Sequence, residues 1–448
     1  MSRRFKNCDT GAGADTRRRR RRRSPVWTRL TVLLTAGALV TGCMVESDPS
    51  AGSVGGGDSV VDFPNWVWGS QDNAPYWKAL KAEFEAENAG LRLTDEVVPG
   101  GEYQDKMFTL LSAGSPPDLV TPFDPQMRAW ADAGLLEPLD PWLTEAGYDL
   151  ESFVPANQIA RGSDGKIYGV IYVSNPRVLF INRGLLERNG LKAPTTPDEV
   201  LSMARKLRDK SAQQFGFATM SASAASFPTY GELVPIVKSF GGDFVTDGKA
   251  TANGTETVKA LEFIENLHAD GLIPAGQTET DYREGFAQGK IASIVCGAFV
   301  MATVKAKNAK AFADFDAVPM PFGSERTTAA NGFFAIPKKA KDKDAAARVI
   351  LKALEDKWQK NLVEMSWQVP ARPGMVSKDF LAQHSWFQTM VDAVPHAESL
   401  APEGHEKVAP QIQDTVAKHY QRMLLTDSTP ANSAQALQQD LTKILDGS

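Results

Sequence analysis

Apolar positions along this chain recur in two rhythms, a short continuous or alternating one and a helical one, and the two take turns. Val60 to Trp68 reads as a first strand, and Pro75 to Asn88 as a helix that carries Trp77, Leu80 and Phe84 on one face and is stopped by Gly90. Leu91 to Val98 reads as a second strand, and Tyr103 to Ala113 as a helix with Met107, Leu110 and Leu111 inward. Asp118 to Pro122 is a short buried strand, followed by a helix from Pro125 with Met127 and Trp130 inward. Strands alternating with helices at this spacing predict an α/β domain with a largely parallel sheet.

The alternation then recurs. Ile167 to Val173 and Val178 to Asn182 read as strands, and Thr196-Pro197-Asp198-Glu199 is a capping box opening a helix with Val200, Met203 and Leu207. Phe215 to Met220 reads as a strand and Thr255 to His268 as an amphipathic helix, with Asp247-Gly248 as a tight turn between them. Later strands are expected at Ile291 to Cys296, Phe315 to Pro319 and Phe333 to Ile336, and beyond Asp344 the pattern is mostly helical. No internal repeat is visible.

The N-terminal end follows neither rhythm. Seven arginines, Arg17 to Arg23, precede an apolar run from Leu30 to Val40, which is too short to span a bilayer and matches the core of a secretory signal. Leu39-Val40-Thr41-Gly42-Cys43 resembles the lipobox of bacterial lipoproteins. That resemblance implies a signal peptide over 1–42, cleavage before Cys43, lipidation of Cys43 and a membrane anchor on the extracellular face; several acyl chains hold where one does not. The competing reading of the arginines, a nucleic-acid-binding arm, does not explain an apolar run ending in small residues and a cysteine. Residues 43–59, rich in glycine and serine, have the composition of a flexible tether.

Charge changes the picture once the leader is set aside. The full chain carries −5, but residues 1–42 hold eleven Lys/Arg against two Asp/Glu, so the remainder carries −14. A surface that acidic argues against nucleic acid as a partner. About 400 residues remain, enough for roughly two or three domains with substantial cores. Of three cysteines, Cys8 leaves with the leader and Cys43 takes lipid, which strands Cys296 in the apolar run Ile291 to Gly297. No disulfide framework is possible, and Cys296 reads as an inert core thiol.

Several segments, in order, resemble the family 1 extracellular solute-binding proteins, the lipid-anchored or periplasmic receptors that feed sugars to ABC importers. They are Ala113-Gly-Ser-Pro-Pro-Asp-Leu-Val120, then Ile167-Tyr-Gly-Val-Ile-Tyr172 with Val178-Leu-Phe-Ile-Asn182, then Leu185 to Gly190 with Pro194 to Glu199. Phe240-Gly-Gly-Asp243, Gly285 to Ala292 leading to Gly297-Ala-Phe299, Asn331 to Ile336 and Pro370-Ala-Arg-Pro373 complete the series. Order and spacing carry the resemblance, since each fragment alone is weak. Two positions depart from the family pattern: Ile171 where proline is common, and Phe299 where tryptophan is common. The second keeps a ring without the indole N–H.

The resemblance implies a two-lobed, periplasmic-binding-protein-like (type II) α/β fold with the ligand in the interdomain cleft and hinge crossovers near Ile167 to Val173, Asn331 to Ile336 and Val363 to Pro370. One lobe would comprise 60–168 plus 337–366, and the other 169–336 plus 367–448. The expected ligand is a mono- or oligosaccharide, the expected partners are the membrane subunits of an ABC permease, and the receptor itself is expected to be a monomer that catalyses nothing and needs no cofactor.

A pyranose offers apolar C–H faces and a rim of hydroxyls, so its site needs aromatic rings and planar polar groups. Carrying the family pattern onto this chain gives Trp66, Trp68, Ser70, Phe123, Asp124, Tyr172, Phe299, Asn331, Trp367 and Arg372 as ligand-binding residues. Within that set Trp68, Tyr172 and Phe299 are expected to stack, and Asp124, Asn331 and Arg372 to hydrogen-bond. Each has a plainer structural reading. Trp66 and Trp68, two apart on one strand face, could fill a core; Asp124 before Pro125 could cap a helix; Asn331-Gly332 could be a turn; Arg372 could be a surface ion pair.

Other chemistry lacks its signature. The five histidines are scattered and no Cys-x-x-Cys exists, so no zinc site is expected. No Gly-rich phosphate loop and no Gly-x-Ser-x-Gly elbow follows a strand. The 52 acidic residues beyond residue 42 are too many for any one pair to be singled out as a glycosidase's. The alternatives kept beside the sugar receptor are a secreted carbohydrate-active enzyme and a receptor of the same fold for a polyamine, peptide or glycerophosphodiester.

Overall fold

The computed structural model describes residues 59–70, 73–221, 226–402 and 404–447. The leader, the lipidation site Cys43 and the tether up to residue 58 lie outside the described residues. The strands, in chain order, are β1 (Ser59–Val61), β2 (Leu91–Leu93), β3 (Val170–Pro176), β4 (Val178–Asn182), β5 (Val245–Thr246), β6 (Lys249–Ala250), β7 (Ser293–Cys296), β8 (Phe315–Val318), β9 (Thr327–Phe334) and β10 (Ala397–Glu398).

The body has two lobes, each with its own buried apolar centre. The first gathers Val61, Phe63, Trp68, Trp77, Phe84 and Met107 with Phe333, Phe334 and Trp358. Its helices Ala74–Glu87 and Gly100–Ala113 lie where the sequence pattern puts them, with Trp77, Leu80, Phe84, Met107 and Leu111 buried. Burying each of these large side chains contributes about 1.5–3 kcal/mol. Pairing is parallel between β1 and β2 and continues to Asn65 and Val97.

In the second lobe β4 is the central strand between β7 and β8. Its residues alternate between two apolar centres: Leu179 and Ile181 join the cluster of Val200, Phe217 and Ile264, while Val178 and Phe180 join that of Phe286, Met301 and Phe387. Both faces are covered, which is why the strand is a continuous apolar run. Helices Pro197–Leu207, Thr255–Ala269, Ala409–Leu425 and Pro430–Asp446 pack on one side. Thr196 caps the first of these by accepting from Glu199 N, and the Glu199 carboxylate reaches back to Thr195 N at 2.7 Å, one residue beyond a standard capping box. Asp247 and Gly248 have φ of 49° and 72°, as the two-residue hairpin between β5 and β6 requires.

Several expectations are corrected. The strand expected at Leu91 to Val98 is limited to Leu91–Leu93, and Asp118 to Pro122 and Phe215 to Met220 make isolated bridges in place of continuous strands. The first strand is short: it ends at Val61, and beyond the single bridge of Asn65 to Val97, Asn65 Oδ1 accepts from Val67 N and Trp66–Trp68 turns as a 3₁₀-helix. The strand expected at Phe333 to Ile336 runs instead over Thr327–Phe334. The sheet is mixed, not largely parallel: β4 pairs antiparallel with β7 and β8, and β3 pairs antiparallel with β9. A chain that leaves the first lobe on one strand and returns on another must run them in opposite directions. The parallel arrangement persists within each lobe, as between Phe215 and Ile291.

The segments linking the lobes lie side by side. β3 and β9 are in register from Val170 opposite Phe334 to Pro176 opposite Ala329, and Val173 also bridges to Pro370. Ser174 N donates to Val369 O at 2.9 Å and Ala371 N to Tyr172 O at 3.3 Å. Register slips between Ile171 and Val173, which leaves Tyr172 as the extra residue of a β-bulge. Bulges re-aim a side chain, and this one sits where the lobes meet.

Candidate ligand-binding site

A cavity of about 340 Å³ opens between the lobes against these linking strands. The first lobe contributes Trp66, Ser70, Asn73 and Phe123, the linking segments Tyr172, Asn175, Gly332 and Gln368, and the second lobe Arg283 and Phe299.

Its aromatic walls are fixed from behind. Trp66 leaves the 3₁₀-turn toward the cavity because Asn65, fully buried, caps that turn and donates to Thr121 Oγ1 at 2.6 Å. The Trp66 ring meets the edge of Tyr103 at 4.7 Å and tilts against Phe123 at 5.2 Å. Burial pushes the Tyr103 hydroxyl up to about 12, so it stays protonated while it accepts from Thr121 N. Tyr172 lies flat on Phe334, with centroids 4.3 Å apart and planes at 23°. Gly332 lies beneath it, where a Cβ would come within 2.9 Å of Tyr172 Cε1 and 2.8 Å of Val173 Cγ1.

A run of side-chain amides crosses the floor. Asn73 Nδ2 donates to Ser70 Oγ at 3.2 Å, Gln368 Nε2 to Asn73 Oδ1 at 3.3 Å, and Asn175 Nδ2 to Gln368 Oε1. Asn175 Oδ1, at the end of the run, is buried without a donor. On the opposite wall the buried Glu232 carboxylate accepts from Tyr282 Oη at 2.5 Å and Arg283 Nη2 at 2.7 Å, with Arg177 Nη2 at 3.6 Å. Burial pushes the Glu232 carboxyl up, but the Arg283 and Arg177 charges outweigh it and hold it below its ordinary value.

Of the residues expected from sequence, the structure brings Trp66, Ser70, Phe123, Tyr172 and Phe299 together at this cavity. Trp66 and Trp68 do not share a face, because the 3₁₀-turn points them apart. Trp68 is in the core, with Nε1 donating to Phe63 O at 2.8 Å and its ring edge-on to Phe63 and Trp77. Asp124 is buried behind the cavity, accepting from Asn331 Nδ2 at 3.0 Å; it occupies the first helical turn after the N-cap Phe123, so it is not the cap. Asn331 lies within β9, not in a turn. Trp367 packs among Phe312, His384 and Trp386, with Lys305 Nζ 5.0 Å from its ring centre. Arg372 pairs with Asp356 and donates to Leu354 O at 3.0 Å.

Asn73, Asn175, Gln368 and Arg283 were not among the expected residues. Two left a faint sequence signal: Gln368 is polar between Trp367 and Val369, and Arg283 precedes Gly285-Phe286, itself part of the family pattern. Cys296 is buried, and burial raises its thiol, which fits an inert core group. No helix among the described residues is long and apolar enough to cross a membrane.

Comparison with known proteins agrees with this geometry. The model of the family described as bacterial extracellular solute-binding protein matches residues 68–360. The diacetylchitobiose binding protein of Streptomyces coelicolor is 24% identical over 428 residues, covering 91% of this chain and 95% of its own. An ABC transporter solute binding protein from Thermotoga lettingae, solved with α-D-tagatose, superposes with a TM-score of 0.76 at 22% identity, covering 86% of this chain and 99% of that one. UgpB from Mycobacterium tuberculosis, solved with glycerophosphocholine, superposes with a TM-score of 0.75 at 20% identity, covering 87% and 99%. The shared fold is the two-lobed α/β architecture of solute-binding proteins.

Proposed function

Because this chain belongs to the bacterial extracellular solute-binding proteins, we propose that its interlobe cavity captures a saccharide and that the loaded receptor delivers it to an ABC importer. The observation that carries the ligand class is the pairing of surfaces in one cavity: the rings of Trp66, Phe123, Tyr172 and Phe299 beside the amides of Asn73, Asn175 and Gln368. Rings cover the C–H faces of a sugar, and amides take hydroxyls that both donate and accept. Fold alone leaves the class open, since one neighbour was solved with a ketohexose and another with a glycerophosphodiester.

The mechanism is binding, not catalysis. Side-by-side linking strands form the floor, so closure moves the wall with Arg283 and Phe299 toward the wall with Trp66 and Phe123. Ligand drives this only as far as it binds the closed arrangement better than the open one. We also infer export behind the leader, cleavage before Cys43 and anchorage through its lipid. Palmitate incorporation should follow Cys43 and vanish in Cys43→Ser.

Calorimetric and tryptophan-fluorescence titration of the protein against mono- and oligosaccharides, polyamines and peptides tests the ligand class. Saturable one-to-one binding of a saccharide that is recovered unchanged is the expected result. A response confined to polyamines or peptides would overturn the saccharide, and consumption of the sugar would overturn the receptor.

A further inference from the structure

The wall around Phe299 holds two arginines whose guanidinium groups are not fully partnered. Arg177 and Arg283 converge on one carboxylate, Glu232, whose Oε1 is 2.7 Å from Arg283 Nη2 and 3.6 Å from Arg177 Nη2. Glu279 adds its field at Arg283, and the two guanidinium groups share Glu232 as the carboxylate within ion-pair distance. The Arg177 side chain is 9% exposed, and its Nη1 has no hydrogen-bond partner; neither has Arg283 Nε. Both guanidinium carbons lie over the Phe299 ring, at 5.4 and 5.0 Å from its centre.

The helix Phe299–Asn308 adds to this field. It starts at the cavity wall with Ala298 as N-cap, no side-chain cap bond and no acidic residue in its first turn. Val300 N and Met301 N already donate to Gly297 O and Ala298 O, so what the helix end offers an anion is its dipole. Arg177 presses against the same spot: a Cβ on Gly297 would lie 2.9 Å from Arg177 Nη1. Unpaired guanidinium N–H groups that are largely out of water gain most from a charged acceptor, and a planar fork suits an oxyanion.

We infer that the saccharide carries one anionic group, a carboxylate or a phosphate ester, held at Arg283 with Arg177 and the helix N-terminus behind it. This rests on the saccharide-receptor reading. Arg283 would donate from Nε to the anion while Nη2 stays on Glu232, so the ligand supplies the acceptor that this N–H lacks.

The test compares matched pairs by calorimetry on the unmodified protein: digalacturonate against galactobiose, and glucose 1-phosphate against glucose, with maltose, cellobiose and diacetylchitobiose as further neutral sugars. At least one acidic member should bind about tenfold or more tighter than its neutral partner. The pair that responds distinguishes carboxylate from phosphate. Arg283→Gln should bring that ratio to within about threefold, a comparison inside one variant that a general loss of folded protein does not change. Neutral sugars binding as tightly as acidic ones, or binding alone, would overturn the anion and keep the saccharide receptor. A preference untouched by Arg283→Gln would overturn the role of the arginine, and silence across the whole panel would overturn both readings.

Discussion

Asn331 donates from Nδ2 to Asp124 Oδ2 at 3.0 Å, tying the returning strand β9 to the first turn of the helix Asp124–Asp132 with both side chains out of solvent. Leu400 N lies 3.4 Å from the same oxygen. The other oxygens, Asp124 Oδ1 and Asn331 Oδ1, have no donor. A proton on Asp124 removes the cost of holding a buried charge there.

Burial raises the Asp124 carboxyl to about 7 against the opposing hydrogen bonds from Asn331 and Leu400. A folded-state value above the unfolded one near 3.9 means that the native protein holds a proton the unfolded chain releases. The resulting stabilisation is complete below about pH 4 and is lost as pH rises through about 7, on the order of 4 kcal/mol in total. Asp124→Asn keeps the shape without the titration. Denaturant unfolding at pH 4, 6 and 8 should show the variant gaining on the native protein as pH rises; parallel profiles would refute the proton held by Asp124.

The two neighbouring tryptophans should separate cleanly by assay. Trp68 fills the first lobe's core, so Trp68→Ala should cost about 3–5 kcal/mol of stability. Trp66, half-buried at the cavity, should lose affinity on truncation while its melting temperature moves little. Equal destabilisation by both, measured by thermal unfolding, would mean that Trp66 is also structural.

At Gly332 backbone space governs the cavity. A methyl there meets Tyr172 Cε1 at 2.9 Å and Val173 Cγ1 at 2.8 Å, and Tyr172 cannot retreat because Phe334 backs its other face. Gly332→Ala should therefore destabilise by about 1–3 kcal/mol and weaken ligand binding together. A variant with native affinity in the titration would show that Tyr172 moves freely.

Much of the fold was legible in periodicity. β4 matches its apolar run residue for residue, and helices such as Ala74–Glu87 and Thr255–Ala269 match their patterns, because burial on a fixed face sets those rhythms. What failed was geometry within a few residues. Trp66 and Trp68 alternate like a strand pair, and only the cap made by Asn65 turns them apart. Asp124 and Asn331 look like ligand groups at strand ends, yet they bond each other, out of solvent. Arg372 has the right chemistry but is drawn off by Asp356. The amide run was invisible because Asn73, Asn175 and Gln368 are far apart in sequence and meet only when the linking strands align.

That amide run has a direction, and direction gives the last prediction. Gln368 donates to Asn73 and accepts from Asn175, so Asn175 Nδ2 is committed and its Oδ1 alone remains to accept. A ligand hydroxyl donating there would make one hydrogen bond to an already desolvated acceptor, worth about 1–1.5 kcal/mol, or roughly a tenfold change in affinity. Asn175→Ala should show that loss in calorimetry. Gln368→Ala touches the ligand wall too, but removes the group that orients Asn175, so the two losses should overlap. The double variant should bind about as weakly as Asn175→Ala alone, the sign of residues acting through one contact. Fully additive losses would show that Asn175 and Gln368 meet the ligand independently.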